Sequence, residues 1–266
     1  MITQIKNHLP GDHPWQNQIY WYDTIGSTNT EAKRLATHGA PHGTVLIAGS
    51  QTAGRGRMGR SFLSPKDMGI YMSVILRPAC RPGELMHLTC AAAVAMCDAV
   101  EAAVGFRPGI KWTNDLVHEH RKLAGILTEL SVDSRTGLVD YAIVGVGINC
   151  HQTEDDFDPQ IRSFAGSLDM FAKESVDRAK VAAHMIQALS RIFLGLQGEK
   201  KAMLEQYRKD CVTLEKEVCV VSGDGTRYGY AVDVDDDGAL VIRFGGDAVE
   251  TVNAGEVSIR GMYGYV

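Results

Sequence analysis

The chain has 266 residues, 45% hydrophobic and 22% charged, which excludes wholesale disorder and supplies a core. Its net charge of -5 gives no overall basic field for holding nucleic acid. No uninterrupted apolar run of about 18 residues is read in it and the N-terminus lacks the apolar stretch of a secretory signal, so neither a membrane span nor export is expected.

Residues 1–18 are polar and turn-rich and read as a loose arm. Ile19 to Tyr22 is β-prone. Thr28-Asn29-Thr30-Glu31 has capping-box spacing and opens a helix through about His38. Gly43 to Ala48 reads as a strand, followed by a glycine- and arginine-rich loop from Gln51 to about Lys66 and a strand from Ile70 to Leu76. A long helix is expected from Gly83 to Val104. Gly109–Trp112 and Asp115–Val117 flank a turn, and Leu123–Val132 and Tyr141–Ile148 pair as a hairpin turning near Ser134 to Gly137. Helices are expected at Asp177–Phe193 and Glu199–Asp210. From residue 212 onward the chain holds only short β-prone runs: Glu217–Val221, Tyr228–Val234, Ala239–Phe244 and Val249–Val252. Asp237-Gly238 and Gly245-Gly246-Asp247 supply turns between them, a pattern that predicts a small all-β barrel. Six cysteines, none with C-x-x-C spacing, read as reduced buried thiols of a cytoplasmic protein.

The strongest chemical signal is Gly54-Arg55-Gly56-Arg57-Met58-Gly59-Arg60. Glycines let backbone amides approach an anion, and arginines bring forked, fixed positive charge suited to phosphate or carboxylate. A flexible loop that closes over an anion is the natural use of such a segment. The G-x-G-x-x-G dinucleotide fingerprint is rejected, because Ser64-Pro65 follows instead of a helix and no acidic residue lies about 20 positions on. Lys111-Trp112-Thr113-Asn114-Asp115 places a lysine, an amide and a carboxylate where they can meet a phosphate and Mg²⁺; Asn-Asp is also a plain turn dipeptide. Lys122, before Leu123-Ala124-Gly125, taken alone reads as a charged residue at a strand start. Gly145-Val146-Gly147-Ile148-Asn149 reads as a strand end near a ligand or as a simple turn. Asp233 to Phe244 is not an EF-hand, since the twelfth position is Phe244 rather than glutamate. His118-Glu119-His120 lacks metal-site spacing, and Asp155, Asp156 and Asp158 form a solvated acidic loop.

In order along the chain, Ser27-Thr28-Asn29, Gln51 before GRGRMGR, KWTND, KLAGIL and GVGIN resemble the biotin protein ligases, densely over residues 19–150. The resemblance implies an α+β fold: a mixed-sheet catalytic domain at 19–211, after the arm at 1–18, and an SH3-like β-barrel at 212–266. It implies formation of biotinyl-5′-AMP from biotin and ATP with Mg²⁺, then transfer to a lysine of a biotin carboxyl carrier protein. Ser27, Thr28, Asn29, Gln51, Gly54, Arg55, Arg57, Lys122 and Gly125 are then expected to bind biotin. Arg57, Arg60, Phe62, Lys111, Asn114, Asp115, Lys122 and Asn149 are expected at the ATP or adenylate. Arg57, Lys122, Lys111 and Asp115 are expected to carry the chemistry, with Asp115 at Mg²⁺. A homodimer is a family expectation. About 20 residues before the first motif leave no room for the DNA-binding helix-turn-helix of bifunctional members, so no DNA binding is expected.

The sequence departs from the family pattern at Met58, where a further arginine is common, at Phe62, often tryptophan, and at Thr113, usually proline. The competing readings are a lipoate or octanoate ligase or transferase, a catalytically silent biotin-binding protein, and an RNA-binding protein using the Gly/Arg loop.

Overall fold

The computed structural model describes residues 1–195, 198–222, 225–246, 248–253 and 258–261. The expected loose arm is instead opened by a helix, α1 (Ile2–His8). Met1, Ile5 and Leu9 recur one turn apart, a spacing that gives even a short helix an apolar face. Ile5 is 0% exposed, and Leu9 and Trp15 are buried too.

Seven strands form one mixed sheet: β1 (Ile19–Tyr22), β2 (Thr44–Ala48), β3 (Gly69–Leu76), β4 (Gly109–Lys111), β5 (Asp115–His118), β6 (Arg121–Val132) and β7 (Val139–Asn149). Their order is β1-β2-β3-β7-β6-β5-β4, with β1 parallel to β2 and every other pair antiparallel. Helix α2 (Thr28–Thr37) packs its Ala32 and Ala36 on Leu46, Ile75 and Ile143 on one face. The other face carries α3 (Leu88–Val104) and α4 (Arg178–Gly195), joined by α5 (Lys200–Asp210) and by α1, which docks on α4 through a bond from Gln187 Nε2 to His8 O.

Two expectations about helices are corrected. The capping box at Thr28 is not made: the N-cap is Ser27, Glu31 pairs with Arg34, and Thr28 turns its hydroxyl to Gln51. The helix expected from Gly83 is broken, because Pro82–Leu85 is a 3₁₀ turn closed by Arg81 N donating to Glu84 Oε2, and α3 starts at Leu88. Contrary to the reading that no membrane-length apolar run exists, Pro82–Val104 is long and apolar enough to cross a membrane by length and composition. Its most apolar 18-residue window has a mean hydropathy of 1.4 and is 67% buried within the protein. Ala91, Ala92, Ala93, Ala95 and Ala99 lie in the core between the sheet and α4.

A second sheet is antiparallel throughout, in the order β11-β10-β9-β8-β12: β8 (Glu217–Ser222), β9 (Gly225–Val234), β10 (Leu240–Phe244), β11 (Ala248–Val252) and β12 (Ser258–Gly261). Four of these follow the β-prone runs; β12 was not read. The Asp237-Gly238 turn forms as expected, with Gly238 at φ +84. Of the Gly245-Gly246-Asp247 turn, Asp247 lies outside the described residues.

The two sheets meet at the KWTND segment. Trp112 Nε1 donates to Gly238 O at 3.0 Å, Trp112 N to Thr213 Oγ1 at 2.9 Å, and Tyr207 Oη to Thr113 O at 3.1 Å. A side chain at Gly238 would collide with Cys90 Sγ of α3, so this hairpin tip admits only glycine.

Candidate active site

On the α2 face three glycines open a trough in the middle of the sheet. Gly145 and Gly147 alternate on β7, so both point to that face, and Gly125 stands opposite Gly147 on β6. The trough they leave is fitted closely from above: a Cβ at Gly145 would lie 1.9 Å from Asn29 Oδ1, and one at Gly147 would lie 2.5 Å from the Phe62 ring. The cleft above them encloses about 120 Å³ and is lined by residues of α2, the Gly/Arg loop, β5, β6 and β7.

One end of the cleft is neutral and hydrogen-bonded. Gln51 Oε1 accepts from Thr28 N at 2.8 Å and from Thr28 Oγ1 at 3.1 Å, while Gln51 Nε2 donates to Ser64 Oγ. Ser73 Oγ lies 2.8 Å from Thr28 Oγ1 and donates to Asn29 Oδ1 at 2.6 Å. Ser27, Thr28, Asn29 and Ser73 are all buried. Such a network fixes its donors and acceptors and suits a ligand that is polar but uncharged there.

The other end is cationic. Lys122 Nζ donates to Asp115 Oδ1 at 2.6 Å, and Arg57 Nη1 to Asn114 Oδ1 at 2.7 Å. Asn114 is itself held to Ile126 O. Burial pushes the Arg57 guanidinium below its usual range, partly offset by the nearby Asp115 charge. Lys122 reaches this face through a bulge in the β5–β6 pairing, which shifts register between Leu116 and Val117. Leu123 and Ala124 can then both enter the core while Lys122 turns out beside Asp115.

The Gly/Arg loop is a narrow hairpin rather than an irregular segment. Phe62 N donates to Gly54 O, Gly56 N to Arg60 O, and Arg55 bridges Ser61. Its tip turns at Met58 and Gly59, both at positive φ.

The structure thus gathers Ser27, Thr28, Asn29, Gln51, Arg55, Arg57, Arg60, Phe62, Asn114, Asp115, Lys122 and Gly125 around one cleft. Gly54 does not line it; it lets the hairpin close, since a Cβ there would meet Phe62 O at 2.3 Å. Lys111 is buried on β4 and does not line the cleft. Asn149 is also buried outside the lining, donating to Gly166 O and accepting from Gln152 Nε2. Gly145 and Gly147 were read only as part of a strand end near a ligand or a simple turn and were given no site role; the two-residue glycine spacing that puts both on one strand face was their signal. Ser73 had none, because a serine inside an apolar strand reads as an ordinary core position. Among the described residues no group of three or more side chains suited to hold a metal occurs.

The chain matches the Biotin/lipoate A/B protein ligase family over residues 21–149 and the Biotin protein ligase C terminal domain over residues 213–260. It is 36% identical to the Bifunctional ligase/repressor BirA of Bacillus spizizenii over 242 residues, 90% of this chain and 71% of that protein. It is 33% identical to the Biotin--[acetyl-CoA-carboxylase] ligase of Mycobacterium tuberculosis, covering 95% of this chain and 93% of the relative. Among solved structures, the biotin protein ligase from Aquifex aeolicus in complex with biotin and ATP superposes with a TM-score of 0.76 at 28% identity, covering 92% of this chain and 99% of that one.

Proposed function

The chain belongs to the biotin protein ligase family, and from that premise we propose how its residues divide the work of a two-step reaction. It is an ATP-dependent ligase that forms biotinyl-5′-AMP and transfers biotin to a lysine of a biotin carboxyl carrier protein. The observation that carries the assignment of residues is the polarity of the cleft: neutral hydrogen bonds at one end, Arg57, Lys122 and Asp115 at the other.

Biotin's ureido ring is neutral, and the Thr28–Gln51–Ser73–Asn29 network offers it fixed donors and acceptors. Its side chain then runs over Gly125 toward Lys122. In the first step the carboxylate attacks the α-phosphate of ATP and pyrophosphate leaves. Lys122 and Arg57 stabilise the negative charge that gathers on the phosphate oxygens as the new bond forms. The hairpin keeps water from the mixed anhydride, with Phe62 covering the glycine floor. In the second step the acceptor lysine attacks the acyl carbon and AMP departs.

Asp115 is the one carboxylate among the described residues lining the cleft. A single carboxylate beside substrate phosphates fits Mg²⁺ that arrives with the nucleotide, and does not fit a cage made by protein alone. Bound there, Mg²⁺ supplies neutralisation of the departing pyrophosphate. Lys111 and Asn149, which lie outside the lining, support the site from behind in this reading.

The same reading divides the chain into a catalytic unit at 19–211 and a C-terminal unit at 212–266. Strand β1 forms an edge of the large sheet with Tyr20 49% exposed, which supports a homodimer paired through that edge. The net charge of -5 supports the expected lack of DNA binding, and six cysteines free of disulfides support a cytoplasmic setting.

Pyrophosphate release from the purified protein with Mg-ATP tests the assignment. Release with biotin and none with lipoate is expected. Release with lipoate alone would move the chain to the lipoate branch, and release with neither would overturn the ligase reading.

A further inference from the structure

One carboxylate that no part of the mechanism uses gathers groups from two other elements. Glu129, on β6, is 15% exposed at its side chain. Arg55 of the hairpin reaches it with both terminal guanidinium nitrogens, Nη1 to Oε2 at 3.1 Å and Nη2 to Oε1 at 3.1 Å. From α2, Asn29 Nδ2 donates to Oε2 at 3.0 Å and Lys33 Nζ pairs with Oε1. Burial alone would raise this carboxyl, but the bonds from Lys33 and Asn29 and the charges of Lys33 and Arg55 outweigh it and hold it below the usual glutamate range.

We propose that Glu129 is the positioning residue that latches the Gly54–Phe62 hairpin closed over the cleft and, with the same carboxylate, orients Asn29. Arg55 makes a forked ion pair from the hairpin onto the sheet, and it leaves the hairpin on the strand that pairs with Ser61. A planar fork on a carboxylate fixes direction as well as distance, so the pair sets the angle at which the hairpin lies on β6. Asn29, held between Glu129 and Ser73, presents the same face whenever the latch is made. Closure of the hairpin and the shape of the neutral end are therefore set by one group. The latch stands on this geometry alone; its effect on the intermediate rests on the ligase reading above.

The hairpin offers trypsin Arg55, Arg57 and Arg60, and cleavage after the last two, which every variant keeps, reports in the ligand-free protein how often it lifts. Glu129→Gln keeps an acceptor for Asn29 and removes the anion; Arg55→Gln removes the other partner at a 42% exposed position where the fold tolerates it. Each is expected to speed cleavage after Arg57 and Arg60 about fivefold, the scale of a partly exposed ion pair, and the double variant no more than about twofold beyond the faster single. Lys33→Met, on α2, is expected to leave the rate unchanged. With biotin and Mg-ATP, both single variants are expected to release biotinyl-5′-AMP faster in the same proportion. Wild-type cleavage in Glu129→Gln and Arg55→Gln, effects that multiply in the double variant, or acceleration by Lys33→Met equal to that of Glu129→Gln would each overturn the latch. Absence of biotin-dependent pyrophosphate release in the wild type would overturn the ligase reading instead, and the cleavage rates would still decide the latch.

Discussion

At Gly145 one methyl group separates a working trough from a blocked one. Its Cβ would land 1.9 Å from Asn29 Oδ1, and Asn29 cannot yield without losing Ser73 and Glu129. Gly145→Ala is therefore expected to raise the KM for biotin at least about tenfold while the protein stays folded, read from pyrophosphate release against biotin concentration. The cations divide differently. Lys122→Ala is expected to slow adenylate formation about a hundredfold, because it removes a charge fixed where negative charge gathers. Arg57→Ala is expected instead to raise the release of biotinyl-5′-AMP about tenfold, and single-turnover kinetics separates the two. The arginines were legible because their chemistry is written in residue type, whereas Lys122, which alone reads as a charged residue at a strand start, and Asp115, which reads equally as part of a turn, were picked out by the family resemblance. Glu129 and Ser73 were not, because their partners lie 44 to 100 residues away and nothing in a strand pattern marks a polar residue as bonded.

Helix α1 shows how a short element escapes a reading by composition. Its polar residues outnumber its apolar ones, and only the one-turn recurrence of Met1, Ile5 and Leu9 marks the face it buries. Ile5→Ala is expected to destabilise the fold by about 2–4 kcal/mol, as for other fully buried aliphatic side chains, measured by urea unfolding. The β5–β6 bulge was illegible for another reason. Alternation along KLAGIL puts Lys122 and Ala124 on one face, and only the register shift against β5 frees Lys122 from it. Most other strands were legible within a residue or two because their apolar runs end at glycine, aspartate or asparagine. β12 carries too short a run to stand out.

Across the whole molecule, the turn that carries Asn114 and Asp115 is held by residues from the C-terminal part. Trp112→Phe would leave Gly238 O with only the weak Cys90 thiol donor at 3.9 Å, a loss of about 1–3 kcal/mol for a buried acceptor. It is expected to raise the KM for ATP several-fold with biotin affinity unchanged, as measured by isothermal titration and initial rates. The thiols report on the same packing. Burial pushes Cys90 and Cys150 up to about 12 and Cys97 and Cys211 upward as well, while Cys219 is half-buried. At pH 8, below those raised values, the buried thiols stay protonated, so a thiol reagent is expected to label Cys219 first and Cys219→Ser to abolish the fast phase.

The bond between Trp112 and Gly238 also has a meaning in time. A ribosome completes the Gly/Arg hairpin, the glycine floor and Lys122 long before it reaches Thr213 and Gly238. The nascent chain thus carries most of the cleft while the turn beneath the nucleotide still lacks its fastening. The fastening of that turn is made only as the last fifth of the chain, from Thr213 onward, emerges and docks.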